Sequence, residues 1–285
     1  MARKILVTGA CSQLGRAVGA LLRLQEDTEV VALGRAELDI LDGPALSAKV
    51  EEIKPALIIN CAGFNDVIAA ESRLATKLQV NTRGFCNLAQ AASQFNTYLC
   101  TFSSKFVFDG KKEQPYLEDD DFWPINQYGT SKHGGEEMIS NLLENYLIVR
   151  SDLVYGGGDD FVSRIQRELG AGNRLPVSDD FMIAPTYIGD LAAAMVALAS
   201  EWAAGTYHYT DDAGNGISCY EFARAIAELS DLDASLLQPT PINDMNFETV
   251  LSMPPRAILS IERFREMFPA LVRPWREALT AYLKP

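Results

Sequence analysis

Lys4-Ile5-Leu6-Val7-Thr8-Gly9-Ala10-Cys11-Ser12-Gln13-Leu14-Gly15-Arg16 opens the chain with an apolar, partly β-branched run, a turn of small residues and the start of a helical pattern. Strand, tight turn and helix in that order are what a dinucleotide pyrophosphate requires. Glycine lets the backbone turn and come close to the phosphates, and the helix N-terminus faces the negative charge. Gly9 and Gly15 hold the outer positions of a GxxGxxG pattern, and Ser12 stands in the middle, where its hydroxyl could be offered to a phosphate. A turn of this kind also serves ordinary strand–helix connections, so its meaning depends on the rest of the chain.

Beyond the turn, strand-like and helix-like segments alternate. Short apolar runs at Lys4–Thr8, Glu29–Leu33, Ala56–Asn60, Tyr98–Ser103 and Tyr146–Val149 are separated by helical patterns at Leu14–Leu24, Ala69–Ser93 (with a break) and Tyr128–Leu143. Continuous apolar strands between helices predict a parallel sheet covered on both faces, a doubly wound α/β fold of Rossmann type. Past Tyr155 the pattern changes to helices at Phe161–Leu169, Ile188–Ser200, Cys219–Leu229 and Pro274–Leu283, separated by loops rich in Pro, Gly and Asp. A short strand at Gly205–Tyr209 is expected to rejoin the sheet. This pattern divides the chain into a dinucleotide-binding domain over 1–155 and a smaller, mainly helical substrate domain over 156–285, with about 184–210 returning to the first.

Composition narrows the function. A net charge of −13 in 285 residues offers no basic surface for nucleic-acid phosphates. The longest apolar runs, such as Ala56–Ala62, are far too short to span a bilayer, so no membrane partner is expected. Five cysteines without a CxxC pair suit a reducing, cytoplasmic setting, and two histidines leave little for a metal site; none is expected. The acidic stretch Glu118-Asp119-Asp120-Asp121 reads as a solvated loop face.

Three further positions carry chemistry. After the second strand comes Gly34-Arg35, where an acidic residue would bind a ribose 2′-hydroxyl and an arginine would pair with a 2′-phosphate. Arg35 therefore favours NADP(H), with NAD(H) left open, and Asp39 is placed to meet the adenine edge. Tyr128 and Lys132 lie four apart, on one helix face. A neighbouring ammonium is expected to lower the phenol's pKa and make Tyr128 the proton donor of a carbonyl reduction. Ser103 and Ser104 end the fourth strand, where ligands of parallel sheets bind, and a hydroxyl there can polarise a carbonyl.

With these residues in order, the chain resembles the dTDP-4-dehydrorhamnose reductase family of extended short-chain dehydrogenases. The resemblance runs through Asn60-Cys61-Ala62-Gly63, Val80-Asn81-Thr82-Arg83-Gly84, Ser103 to Gly110, Pro124 to Lys132 with Glu136, Val149-Arg150, Val154-Tyr155-Gly156, Ala184-Pro185-Thr186-Tyr187 with Asp190-Leu191, and Trp275 to Leu279. It implies that Ser104 takes the place of the family's catalytic threonine, with Tyr128 the proton donor and Lys132 its activator. It also implies that Ser12, Gln13, Leu14, Asp39, Ile40, Cys61, Ala62, Gly63, Phe64 and Phe102 line the cofactor, with Asn81 structural, and that Lys105 and Leu153 face substrate.

The departures point to the substrate. Lys105 stands where the family has Asp, Phe106 where it has Tyr, Phe181 and Ile183 where it has Gln and Gly, and Met253 where it has Arg. Each removes or reverses a polar contact in a sugar site, and buried polar contacts discriminate sharply. The resulting expectation is an NAD(P)H-dependent reductase of a keto sugar, nucleotide-linked and of the 4-keto-6-deoxyhexose type, with an altered substrate. A nucleotide-sugar epimerase or dehydratase that retains its cofactor uses the same Tyr and Lys. A non-catalytic NADP-binding regulatory subunit is the reading from another class. The oligomeric state stays open, a homodimer included.

Overall fold

In the computed structural model, which describes residues 2–71, 75–245 and 252–284, a six-stranded parallel sheet forms the centre. Its strands are β1 (Arg3–Thr8), β2 (Thr28–Leu33), β3 (Leu57–Asn60), β4 (Tyr98–Ser104), β5 (Tyr146–Ser151) and a sixth, Gly205–His208. The spatial order is sixth strand, β5, β4, β3, β1, β2. Every residue of β3 and β4 is buried, which explains why these runs carry no polar alternation.

Helices cover both faces. α1 (Gln13–Leu22) packs with α7 (Ile188–Ser200) on one side. On the other lie α2 (Gly43–Ile53), α4 (Ala75–Gln94) and α5 (Gln127–Leu142). Over the expected helix Ala69–Ser93 lie α3 (Val67–Glu71) and α4, and 72–74 lie outside the described residues. α2 is absent from the sequence reading although its signals are present. Asp42 caps its N-terminus, Pro44 sits in the first turn, and Leu46, Val50 and Ile53 form its buried stripe.

The third layer stands over the carboxyl ends of the strands. It contains α6 (Phe161–Gly170) and α8 (Cys219–Leu229), each opened by a reciprocal capping box, and a last helix over Trp275–Leu283. Short strand pairs join Leu175–Ser178 to Leu237–Thr240, and Met182–Ile183 to Ile217–Ser218. These elements share an apolar cluster that reaches down to Phe106 and Tyr128 at the sheet. A cavity of about 1010 Å³ lies between this layer and the strand ends.

Candidate active site

The chain leaves β1 toward β2 on one side and returns to β3 on the other, so the sheet's switch point lies at the ends of β1 and β3. The Gly9–Ser12 turn occupies that point. Gly9 has φ +67°, and a Cβ there would stand 2.4 Å from the Ala62 nitrogen; one on Gly15 would stand 2.4 Å from the Gly9 oxygen. Only glycine lets this turn sit against β3 and leave its amide edge open, so the cradle fits a pyrophosphate. Ser12 caps α1 by accepting from the Gly15 amide at 2.9 Å, and its hydroxyl donates to the Cys61 carbonyl at 3.3 Å. Both contacts of the Ser12 hydroxyl are thus to backbone of the turn and of the segment after β3. Ser12, Gln13 and Leu14 border the cavity, and α1 has no acidic residue in its first turn to repel an anion there.

Cys61, Ala62 and Gly63 continue the border from β3. Asn60 fixes their path, accepting from Thr8 at 2.7 Å and donating to Thr101 at 3.0 Å, so that β1, β3 and β4 are tied at their ends. Asn81 of α4 then accepts from the Phe64 amide at 2.8 Å and donates to the Phe64 carbonyl and to Ser131. Asn81 is fully buried, and its work is to hold the Gly63–Phe64 segment against α5.

Arg35, Asp39, Ile40 and Phe64 stand outside the cavity lining. Arg35 is exposed and paired with Asp39 at 3.1 Å, an arrangement loose enough to open for a ligand. The Ile40 side chain is core, packed where Gly84 leaves room on α4.

The candidate reacting residues converge at the floor. Phe102 and Ser104 come from the end of β4, Tyr128 and Lys132 from α5, and all four border the cavity. Asn126 caps α5 by accepting from Gly129 at 2.7 Å, and Gly129 lets the helix start press on the turn after β4, since a Cβ would lie 2.0 Å from the Phe106 oxygen. That approach places the Tyr128 phenol at the cavity floor beside Ser104. Burial pushes the phenol up to about 12, with the Ser104 hydrogen bond opposing. Burial thus dominates, and the phenol stands above its ordinary value rather than below it as expected from sequence. The Lys132 ammonium lies 5.9 Å from the Tyr128 ring centre and directs a hydrogen bond to the Phe102 carbonyl at 3.4 Å. Burial pulls Lys132 itself down to about 8, against the attraction of Glu136 one turn along.

Behind this floor, Arg150 of β5 is held by Glu136 through contacts of 2.7, 3.0 and 3.2 Å. Arg150 also donates to the Glu118 carbonyl, and the Glu118 carboxylate accepts from the His208 amide at 3.1 Å. Glu118 thus faces inward, unlike the solvated face expected for its acidic stretch.

Lys105 and Leu153 also border the cavity, as expected from sequence, but Lys105 does not stand free. It is 1% exposed and forms an ion pair of 2.8 Å with Asp152, a partner the sequence reading missed. Phe106 meets the Tyr128 ring edge-on at 5.5 Å, and Phe181 and Met253 close the wall.

Residues 3–285 match the family model for the RmlD substrate binding domain. The chain belongs to that family. It is similar to the spore coat polysaccharide biosynthesis protein SpsK of Bacillus subtilis, 35% identical over 99% of this chain and 97% of that one. It is similar as well to a dTDP-4-dehydrorhamnose reductase of Aggregatibacter actinomycetemcomitans, 32% identical over 97% of each. Among solved structures, the dTDP-4-dehydrorhamnose reductase of Bacillus anthracis in complex with NADP superposes with a TM-score of 0.91, at 28% identity and 99% coverage of both chains. The fold of this RmlD-family chain, read from the alternation after Gly9, is thereby matched end to end.

Proposed function

We propose that this chain reduces the carbonyl of a nucleotide-linked 4-keto-6-deoxyhexose with NADP(H) as the preferred cofactor. The observation that carries this reading is that Ser104, Tyr128 and Lys132 line one cavity together with Ser12, Gln13 and Leu14 of the glycine turn. The names of the relatives and the NADP in the Bacillus anthracis structure support it. Residues 1–155 then serve the cofactor and 156–285 the substrate, with about 184–210 shared between them. No helix among the described residues is long and apolar enough to cross a membrane.

Gly9, Ser12, Gln13, Leu14 and Gly15 would hold the cofactor's phosphates, Cys61 to Gly63 and Phe102 its remaining length, and Lys132 its ribose. When bound, the reduced nicotinamide supplies a hydride to the carbonyl carbon. Ser104 donates a hydrogen bond to the carbonyl oxygen as negative charge develops there. Tyr128 transfers its proton to that oxygen, giving the alcohol. A phenol near 12 keeps its proton throughout the neutral range and is still more acidic than the alcohol formed, so the transfer runs downhill. Lys132, charged below about 8, stabilises the tyrosinate left behind until solvent reprotonates it.

The test is consumption of NADPH with a dTDP-linked 4-keto-6-deoxyhexose. Stoichiometric oxidation with formation of the alcohol is expected. Inversion at a ring carbon without net NADPH loss would establish the epimerase reading instead. Arg35→Ala should raise the KM for NADPH about tenfold, one charge-assisted contact, and leave that for NADH unchanged; equal effects on both would remove Arg35 from cofactor choice.

A further inference from the structure

A second group of buried polar side chains lies outside the cavity lining, where α7 begins. Asp211, just beyond the sixth strand, is fully buried. Its Oδ2 accepts from the Tyr187 amide at 2.8 Å, and its Oδ1 has no hydrogen-bond partner among the described residues. The carboxylate beside it is Asp190 of α7, whose Oδ2 accepts from the Arg273 side chain at 2.6 Å. Arg273 is the cation that faces both acids. Of the phenols around them, Tyr155 has a buried, unpartnered hydroxyl, and Tyr209 donates to the Leu271 carbonyl at 3.0 Å. Tyr187 and Tyr282 stack against Tyr155 on its outer side, and Arg265 is spent on Asp212 at 2.8 Å.

An ionised carboxylate oxygen buried without a donor is among the costliest groups a fold can hold, so such an acid keeps its proton instead. Two acceptor oxygens cannot pair with each other until one of them carries a proton. Asp190 has the Arg273 charge to keep it ionised, whereas Asp211 has only a backbone amide on its other oxygen. Burial first, with the Asp190 charge adding to it, pushes the Asp211 carboxyl up to about 8, against the Tyr187 amide and Arg273. From this arrangement we infer that Asp211 and Asp190 share one proton, carried on Asp211 Oδ1, and that this proton fastens the C-terminal segment to the sheet. The fastening runs on through the chain. The Asp212 amide donates to the Arg273 carbonyl at 2.9 Å, and the Trp275 amide donates to the Asp212 carbonyl at 3.0 Å. The last helix begins at Trp275 and packs on α8, while Ile188 and Leu191, on either side of Asp190, line the cavity. The shared proton thus stands behind a cavity wall and holds it in position, whichever carbonyl the chain reduces.

An exposed aspartate releases its proton at about 3.9. Between about 4 and 8 the closed segment therefore binds a proton that an opened one has lost, and opening becomes easier as pH rises. Above about 8 both are ionised and the effect levels off. Asp211→Asn copies the protonated acid, since its oxygen can accept from Tyr187 and its amide can donate to Asp190 at any pH. Hydrogen exchange of residues 271–279, read by mass spectrometry, is compared in the two proteins at equal pH, which cancels the intrinsic exchange rate. Wild type is expected to exchange faster than D211N at pH 8, and the ratio of the two rates should shrink at least about tenfold by pH 5. In wild type alone, the carbon-13 shift of the Asp211 carboxyl should titrate with a midpoint well above the ordinary carboxylate range, a reading that needs no variant to fold. A rate ratio independent of pH, a D211N segment less protected than wild type at pH 8, or an Asp211 midpoint at about 4 would each overturn the inference.

Discussion

Replacing Lys132 by methionine should stabilise the protein while destroying its chemistry. Lys132 is 4% exposed, and among the described residues no carboxylate forms an ion pair with it. Its fall from an ordinary 10.5 to about 8 means that the folded state holds the charged form poorly, a burden of roughly 3 kcal/mol at neutral pH. Proton counting gives the sign. Below about 8 both folded and unfolded chains carry the proton, and the full burden is present. Between about 8 and 10.5 the unfolded chain binds a proton that the folded chain has released, so stability rises with pH as the burden disappears. Methionine keeps most of the apolar stem and carries no charge. Urea unfolding at pH 7 should therefore show a gain of about 1–3 kcal/mol, discounted for the lost Phe102 contact, and at pH 10 the gap should fall below about 1 kcal/mol. Reductase activity should drop by orders of magnitude in the same preparation. A variant less stable than wild type at pH 7, or a gap independent of pH, would refute the claim that burial dominates at Lys132.

Other expectations address neighbouring parts of the site. Tyr128→Phe should lower kcat about 10²- to 10⁴-fold, the usual worth of a general acid, with cofactor affinity by fluorescence titration unchanged. Glu136→Ala strands the buried Arg150 guanidinium and should cost about 3–5 kcal/mol, read as a lower urea midpoint. Gly9→Ala forces a side chain into φ +67° and against Ala62, so a lower melting temperature and lost NADPH binding in calorimetry are expected.

Much of the fold was legible because its signals are local. The helices Ile188–Ser200 and Cys219–Leu229 match their sequence bounds, the second fixed by a Ser218–Glu221 capping box. β5 runs two residues beyond the expected Val149, through the polar Arg150 and Ser151. Arg150 is in fact buried, made tolerable by Glu136 fourteen residues earlier on a different element. Still longer separations along the chain hid Asp152 as the partner of Lys105 and the use Ser12 makes of Cys61. Spacing along the chain identifies residues that share one helix face or one turn. Pairing across the fold, which sets the burial of Tyr128 and the satisfaction of Lys105, has no local signature.

Three cations lie buried near the strand ends, and their partners separate their roles. Arg150 has a bidentate carboxylate, and Lys105 has a carboxylate and a carbonyl; each charge is paired. Lys132 has one long contact to a carbonyl and the attraction of a carboxylate already committed to Arg150. Stability alone would favour removing that charge or pairing it, as the other two are paired. An ammonium left underserved beside a phenol retains its field for the moment when the phenol loses its proton. The thin pairing at Lys132 thus suits the role proposed for it beside Tyr128, and the ion pair at Lys105 suits a place in the wall.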